Sequence, residues 1–246
     1  MATAARYDRI GLGYTSYRQP DPRIEAQIWA AIGDAGPILN VGAGAGSYER
    51  PGRQMIAVEP SPVMLEQRRP SAAPAVRGTA EQLPFEAGTF EVALALLTIH
   101  HWSDLEAGLA ELQRVARRQI VMTIDPPIHD AMWMVAEYVP AIRGMSDHVP
   151  LDLVTSLLQT RRVQVIPIPV DCIDGFCMAY WARPESYLDP VVRSNTSAFA
   201  RLDWSEYQPG LERLARDLSD GTWHRHHGNL LGRPEFDVGL RLVIAG

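Results

Sequence analysis

Three glycines at alternate positions, Gly42, Gly44 and Gly46, follow the apolar run Ile38–Val41 in the segment ILNVGAGAGSY. Glycines there let a chain leaving a strand turn sharply and approach a ligand without Cβ clashes, the usual setting for a nucleotide-type ligand at the C-terminal edge of a parallel sheet. Seventeen positions after Gly42 the next apolar run, MIAVE, ends in Glu59. Its two carboxylate oxygens match the vicinal hydroxyls of a ribose. His100 and His101 stand just beyond the apolar run Val92–Leu97, where an imidazole can take a proton near neutral pH. The densest histidine cluster, WHRHHG (Trp223–Gly228), holds three imidazoles but no carboxylate or cysteine at ligand spacing. It reads as a solvated loop or, with His224, a substrate lid rather than a metal site.

The elements that position these residues alternate between apolar runs and helical patterns, as in an α/β fold with a mostly parallel sheet. Residues 22–32 place Ile24, Ile28, Trp29 and Ile32 on one helical face. Strands are predicted at 38–41, 55–58, 75–77, 92–97, 120–124, 163–170 and 238–244. Helices are predicted at 61–68, 104–117, 129–139, 151–158 and 211–218. Residues 171–233 break the rhythm and scatter Trp, Tyr and Pro among charges, which reads as an insertion between the last two strands.

Bulk properties narrow the function. The 246 residues suit one α/β domain with a smaller insertion, and 46% apolar with 21% charged residues is ordinary for a soluble protein. A net charge of −6 argues against nucleic acid or an anionic membrane as partner. No apolar run is long enough to span a bilayer, and no secretory signal opens the chain, so a cytoplasmic protein is expected. Cys172 and Cys177 are expected as free thiols. All 23 basic residues are arginine, which removes Schiff-base, phosphate-loop-lysine and Ser-Lys chemistry.

Taken in order, NVGAGAG, MIAVE, GTAEQLPF and FEVALALLTIHHW resemble the class I S-adenosylmethionine (SAM)-dependent methyltransferases of small molecules, specifically the type 11-like group. The resemblance covers residues 36–125 firmly and both ends more loosely. It implies a Rossmann-like, seven-stranded, mostly parallel sheet with the last strand antiparallel and helices on both faces. Residues 1–170 and 234–246 would form the SAM-binding core, with 1–35 as N-terminal flap and helix, and 171–233 the inserted cap or substrate segment. SAM would be the methyl donor and S-adenosylhomocysteine (SAH) the product.

Carried over position by position, Gly42, Ala43, Gly44 and Gly46 would contact the methionine and ribose portion. Glu59 would bind the ribose diol, with Pro60, Ser61 and Met64 beside the adenine. Ala80 and Glu81 would meet the adenine edge, and Leu96 or Leu97 would offer a carbonyl to the ammonium group. Tyr14, Tyr17 and Arg18 resemble the flap of these enzymes, with Arg18 suited to the methionine carboxylate. Two positions depart from the family pattern: Asn40 stands where Asp or Glu is usual, and Thr79 where Asp is frequent.

The acceptor is less legible. His100 and His101 lie at the cleft edge as candidates to touch substrate, as do Asp125 at the end of the fifth strand and Tyr17 of the N-terminal flap. Asp171, in the aromatic and acidic segment DCIDGFCMAYW, could line an acceptor pocket or belong to the insertion's own core. An NAD(P)-dependent oxidoreductase is the alternative enzyme, although Ser47 occupies the third glycine position of that fingerprint. A non-catalytic SAM-binding protein is a third reading. A monomer or homodimer acting on a small molecule is expected.

Overall fold

Residues 19–143 and 149–246 are described by the computed structural model. Helix α1 (Pro22–Ile32) starts where Asp21 caps it, accepting the backbone N–H of Arg23 at 3.0 Å, with proline at the first helical position. Its Ile24, Ile28, Trp29 and Ile32 are buried, as the spacing requires.

The strands β1 (Ile38–Val41), β2 (Met55–Glu59), β3 (Ala75–Arg77), β4 (Phe90–Leu96), β5 (Ala116–Ile124) and β6 (Arg162–Val165) share one sheet with a late strand (Leu240–Ala245). That late strand is β9, because a two-stranded pair intervenes, β7 (Ile168–Pro169) and β8 (Glu235–Phe236). The sheet order is β3-β2-β1-β4-β5-β9-β6. Strands β1 to β5 pair in parallel, and β9 runs antiparallel to both its neighbours. This is the seven-stranded sheet the resemblance implies.

Helices cover both faces. On one, α3 (Leu105–Val115) and α5 (Leu151–Leu157) set Leu109, Leu112, Val115 and Val154 against Leu39, Val41, Val121 and Val243. Each such side chain contributes roughly 1.5–3 kcal/mol by leaving water. On the other face α1 packs together with residues of the β5–β6 connection and of the stretch between β6 and β9, in one apolar cluster that joins Ile28, Leu94 and Met122 to Trp133, Trp181 and Trp223.

Four elements differ from the sequence expectation. The run 163–170 divides into β6 and β7, because Pro167 and Pro169 cannot donate to a ladder. The helix expected at 129–139 begins earlier, as α4 (Pro126–Asp130), since Asp125 sits at its cap and two prolines suit a first turn. It then gives way to a single π turn at Met134–Tyr138. The helix α7 spans Trp204–Ser219 rather than only its second half, started by a reciprocal Asp203–Glu206 capping box despite the internal Pro209. Next to that proline, Gly210 has a packing reason: a Cβ there would stand 1.8 Å from the carbonyl oxygen of Tyr138. After α6 (Pro190–Ser194) and α7, the WHRHH stretch forms helix α8 (Thr222–His227) instead of a loop. Trp223 and His227, four apart, both face Trp133, with ring centroids at 5.3 and 5.9 Å.

Among the described residues no helix is long and apolar enough to cross a membrane. Both cysteines are free thiols.

Asp21 also ties α1 to the insertion. Its fully buried carboxylate accepts Nε and a terminal nitrogen of Arg23 at 3.0 and 2.7 Å and the backbone N–H of Ile173 at 3.2 Å. Burial alone would raise its pKa, but these donors outweigh it and hold the group at about 2. Asp21→Ala is therefore expected to lose about 2 kcal/mol in denaturant unfolding near neutral pH. Because the folded value lies below the unfolded one of about 3.9, the stabilisation is present above that value and lost as the pH falls toward 2. The gap between wild type and variant should close over that interval.

Candidate active site

The glycine loop leaves β1 with Gly42 at φ +66°, a left-handed conformation. A Cβ there would lie 1.9 Å from the hydroxyl oxygen of Thr98, so the loop presses against the chain beyond β4. The N–H groups of Gly42 and Ala43 both donate to the carbonyl of Val58 in β2, at 2.8 and 3.1 Å.

Glu59 completes the connection. One carboxylate oxygen accepts the N–H of Gly44 at 2.8 Å and the other that of Ser61 at 2.9 Å. The side chain is buried, and burial raises its pKa above the ordinary glutamate range; the two N–H donors and Arg68 oppose that rise. Each carboxylate oxygen accepts a second hydrogen bond readily, which leaves an accepting site on both for a diol. Ser61 caps the short helix α2 (Pro62–Glu66), accepting from Met64 N–H at 3.3 Å.

Asn40 now has a physical reason. Its amide nitrogen donates to Glu49 at 2.9 Å, and the other oxygen of Glu49 accepts from Arg68 at 2.7 Å and from the N–H of Ala73 at 2.9 Å. Arg68 and Glu49 are both buried, and Arg68 also donates to the carbonyls of Gly44 and Ala73. The buried carboxylate behind the loop is supplied from position 49. An acid at position 40 would face a like charge, whereas an amide donates to it.

The post-β3 loop is tied to the histidine turn by Glu81. Its carboxylate accepts the N–H and hydroxyl of Ser103 at 2.7 and 2.8 Å and the N–H of Asp104 at 3.3 Å. Helix α3 grips the same loop through Glu111, which accepts the N–H of Leu83 at 2.8 Å, and through Arg114, which donates to the carbonyls of Phe85 and Leu83. After β4, Leu97 takes φ +54°, and Ile99–His101 form a turn with the two imidazoles 3.8 Å apart.

These elements surround a cavity of about 440 Å³. Of the residues expected in a cofactor site it is lined by Asn40, Gly42, Ala43 and Gly44 from the loop, and by Glu59, Pro60, Ser61 and Met64 after β2. Thr79, Ala80, Glu81, Leu96, Leu97, His100 and His101 complete that half. Gly46, Asp125, Asp171 and His224 do not line it. Asp125 pairs with Arg241 at 3.2 Å, and Asp171, largely exposed, with Arg23 at 2.6 Å. His224 is exposed on α8. Tyr14, Tyr17 and Arg18 lie outside the described residues.

The sequence reading missed the other half. Met122 and Ile124 of β5, His129 of α4, Phe176, Cys177 and Met178 of the insertion, Arg201, and Leu240 of β9 extend the cavity beyond the cofactor motifs. Only Asp125 and the Asp171–Trp181 segment hinted at this region, because apolar residues of distant elements carry no local signature. Tyr48 bridges the halves: it lines the cavity, takes φ +67°, and donates its hydroxyl to the buried Asp174 at 2.7 Å.

Among the described residues no His, Cys, Asp or Glu group is arranged to hold a metal. The donor set instead fits an adenosine ligand, with a buried carboxylate facing a glycine loop and a cavity within the usual size for small-molecule sites.

The comparisons with known proteins agree with this geometry. A methyltransferase domain family matches residues 39–122, from the glycine strand through β5. A crystal structure of a candidate methyltransferase from an antibiotic biosynthesis pathway of Anabaena variabilis is 31% identical, with a TM-score of 0.82, covering 94% of this chain and 99% of that one. A SAM-dependent methyltransferase from Thermotoga maritima shares the fold at 20% identity and a TM-score of 0.52, over 68% of this chain and 85% of that one. The malonyl-[acyl-carrier protein] O-methyltransferase of Serratia marcescens is 33% identical over 86 residues, 32% of this chain and 34% of that protein. The curated relatives it matches are covered over 23–35% of their length. The chain belongs to the class I SAM-dependent methyltransferases. The antiparallel β9 between β5 and β6 departs from the 3-2-1-4-5-6 parallel order of the dinucleotide fold, and with the family match it favours the methyltransferase over the oxidoreductase alternative.

Asn40→Asp tests the reason given for the amide. Two carboxylates in hydrogen-bond contact should lower stability by about 2 kcal/mol near neutral pH. Since one of them then holds a proton, thermal unfolding should show the loss shrinking as the pH is lowered.

Proposed function

We propose that the protein transfers the methyl group of SAM to a small-molecule acceptor and releases SAH. The observation that carries this is the buried Glu59 carboxylate held against the glycine loop, at one end of a cavity whose other end is walled by the insertion. When bound, SAM supplies an electrophilic methyl group on a sulfonium. The chain's own residues bind, orient and exclude water, which supplies much of the rate of an in-line displacement.

In this reading Glu59 takes the ribose diol, and the Gly42–Gly44 backbone admits the methionine portion. Pro60, Met64 and Ala80 flank the adenine, with Thr79 and Glu81 at its edge. Leu96 or Leu97 offers a carbonyl to the ammonium group. His100 and His101, in the turn after β4, line the cavity and touch the acceptor. Residues 1–170 and 234–246 serve as the SAM-binding core, and 171–233 as a cap that encloses the acceptor.

Calorimetry is expected to show stoichiometric binding of SAH and none of NAD(P). Glu59→Gln keeps the size of the side chain but places an amide where two N–H donors need oxygens. SAH affinity should drop about 10- to 100-fold, as for loss of a charged hydrogen bond. For the wild type, affinity should fall on acidification at a higher pH than an ordinary glutamate would give, because the ionised form accepts the diol and its pKa is raised. An unchanged affinity in Glu59→Gln would refute the ribose role, and binding of NAD(P) in place of SAH would refute the methyl-donor reading.

A further inference from the structure

The chain leaving β4 turns abruptly toward the glycine loop. Leu97 takes φ +54°, a left-handed conformation that few residues other than glycine adopt. Its N–H donates to the carbonyl of Met122 at 2.8 Å, which ties the turn to β5. The next residue, Thr98, is thereby set against the start of the loop after β1. A Cβ on Gly42 would collide with the Thr98 hydroxyl oxygen, so that oxygen has its place only because position 42 is glycine. Thr98 is 7% exposed, and it lines the cavity together with Gly42, Leu96 and Leu97.

The fold leaves this hydroxyl unused. Thr98 precedes the Ile99–His101 turn, a place where a threonine side chain commonly caps, yet it makes no capping bond. Its carbonyl holds the turn instead, accepting the N–H of His101 at 2.8 Å. The hydroxyl makes no hydrogen bond with any described residue. A polar group on a residue this buried ordinarily has a partner, and one that faces a cavity without a partner in the chain is available to a ligand.

The position selects the ligand group. With Glu59 taking the ribose at the end of β2, the amino-acid end of SAM lies at the ends of β1 and β4. The C-terminal end of β4 presents oxygens, which attract an ammonium and repel a carboxylate. An ammonium carries three N–H donors, and the carbonyl of Leu96 or Leu97 accepts one of them. Resting on the methyl-transfer reading above, we propose that Thr98 is a further cofactor-binding residue, its hydroxyl oxygen accepting a hydrogen bond from the ammonium group of the methyl donor. This bond holds the amino-acid arm against Gly42, at the junction of the glycine loop and the turn after β4.

Calorimetry on the whole chain tests this with SAH and with its deaminated analogue, which keeps the carboxylate and lacks the ammonium. Thr98→Val preserves the branched shape and removes the acceptor. SAH should then bind about tenfold more weakly, as for loss of a hydrogen bond to a charged group. Thr98→Ser keeps the hydroxyl and should bind SAH nearly as the wild type does. The deaminated analogue should bind the wild type and Thr98→Val alike. If the valine methyl crowds Gly42 and that variant misfolds, the smaller Thr98→Ala reads the same loss. Three results would overturn the proposal: SAH affinity unchanged without the hydroxyl, Thr98→Ser as weak as Thr98→Val, or an equal loss for the deaminated analogue, which would give the hydroxyl to another part of the ligand. Failure of the wild type to bind SAH would instead strike the methyl-donor reading.

Discussion

The site is organised around a carboxylate taken out of water at the end of β2. Glu59 can be buried because Gly44 and Ser61 each bring a backbone N–H to one of its oxygens, and those N–H groups gain an acceptor they would otherwise lack. The exchange holds the glycine loop and the start of α2 in one relation before any ligand arrives. Gly42 adds the second restraint, since its left-handed backbone sits flush against Thr98, where no side chain fits. Strand ends from β1, β2 and β4 are thereby locked to one another, and the rest of the cleft is built outward from that junction.

Behind the loop, Asn40, Glu49 and Arg68 form a buried polar network whose members also satisfy the backbone of Gly44 and Ala73. A half-satisfied network of this kind is expensive, and a complete one rigidifies. The amide at position 40 is therefore a matched part of the loop's support rather than a weakened version of an acidic residue. The same logic governs Glu81, which spends its carboxylate on the start of α3 and so holds the loop after β3 beside the histidine turn.

The insertion is welded to the sheet by aromatic packing. Trp133 meets Tyr138, Tyr187 and Trp223 edge-on, and its ring N–H donates to the carbonyl of Trp181 at 2.8 Å. The π turn and α7 approach so closely at Tyr138 and Gly210 that only a glycine fits. Tyr48 and Asp21 stitch the insertion to the glycine loop and to α1. A segment tied down at these points presents a shaped wall to the cavity.

The sequence by itself determined the order of the elements, the glycine loop, the acid closing β2 and the two loops that follow β3 and β4. Each is a local signal: a period of burial, a backbone conformation that demands glycine, or a polar residue at a strand end. Tertiary structure decided the rest. Asp125 is a candidate for the cleft edge and Asp171 for either an acceptor pocket or the insertion's own core, yet each is taken up by an arginine, Arg241 and Arg23, that no local pattern could assign. The histidines read as a loop became a helix because Trp223 and His227 share one face against Trp133, some ninety residues away. His129 is only the first residue of an expected helix in the sequence, and comes to line the cavity only when β5, β9 and the insertion close around it. Burial, charge pairing and cavity shape are properties of side chains brought together from distant positions, and the chain specifies them only once it has folded.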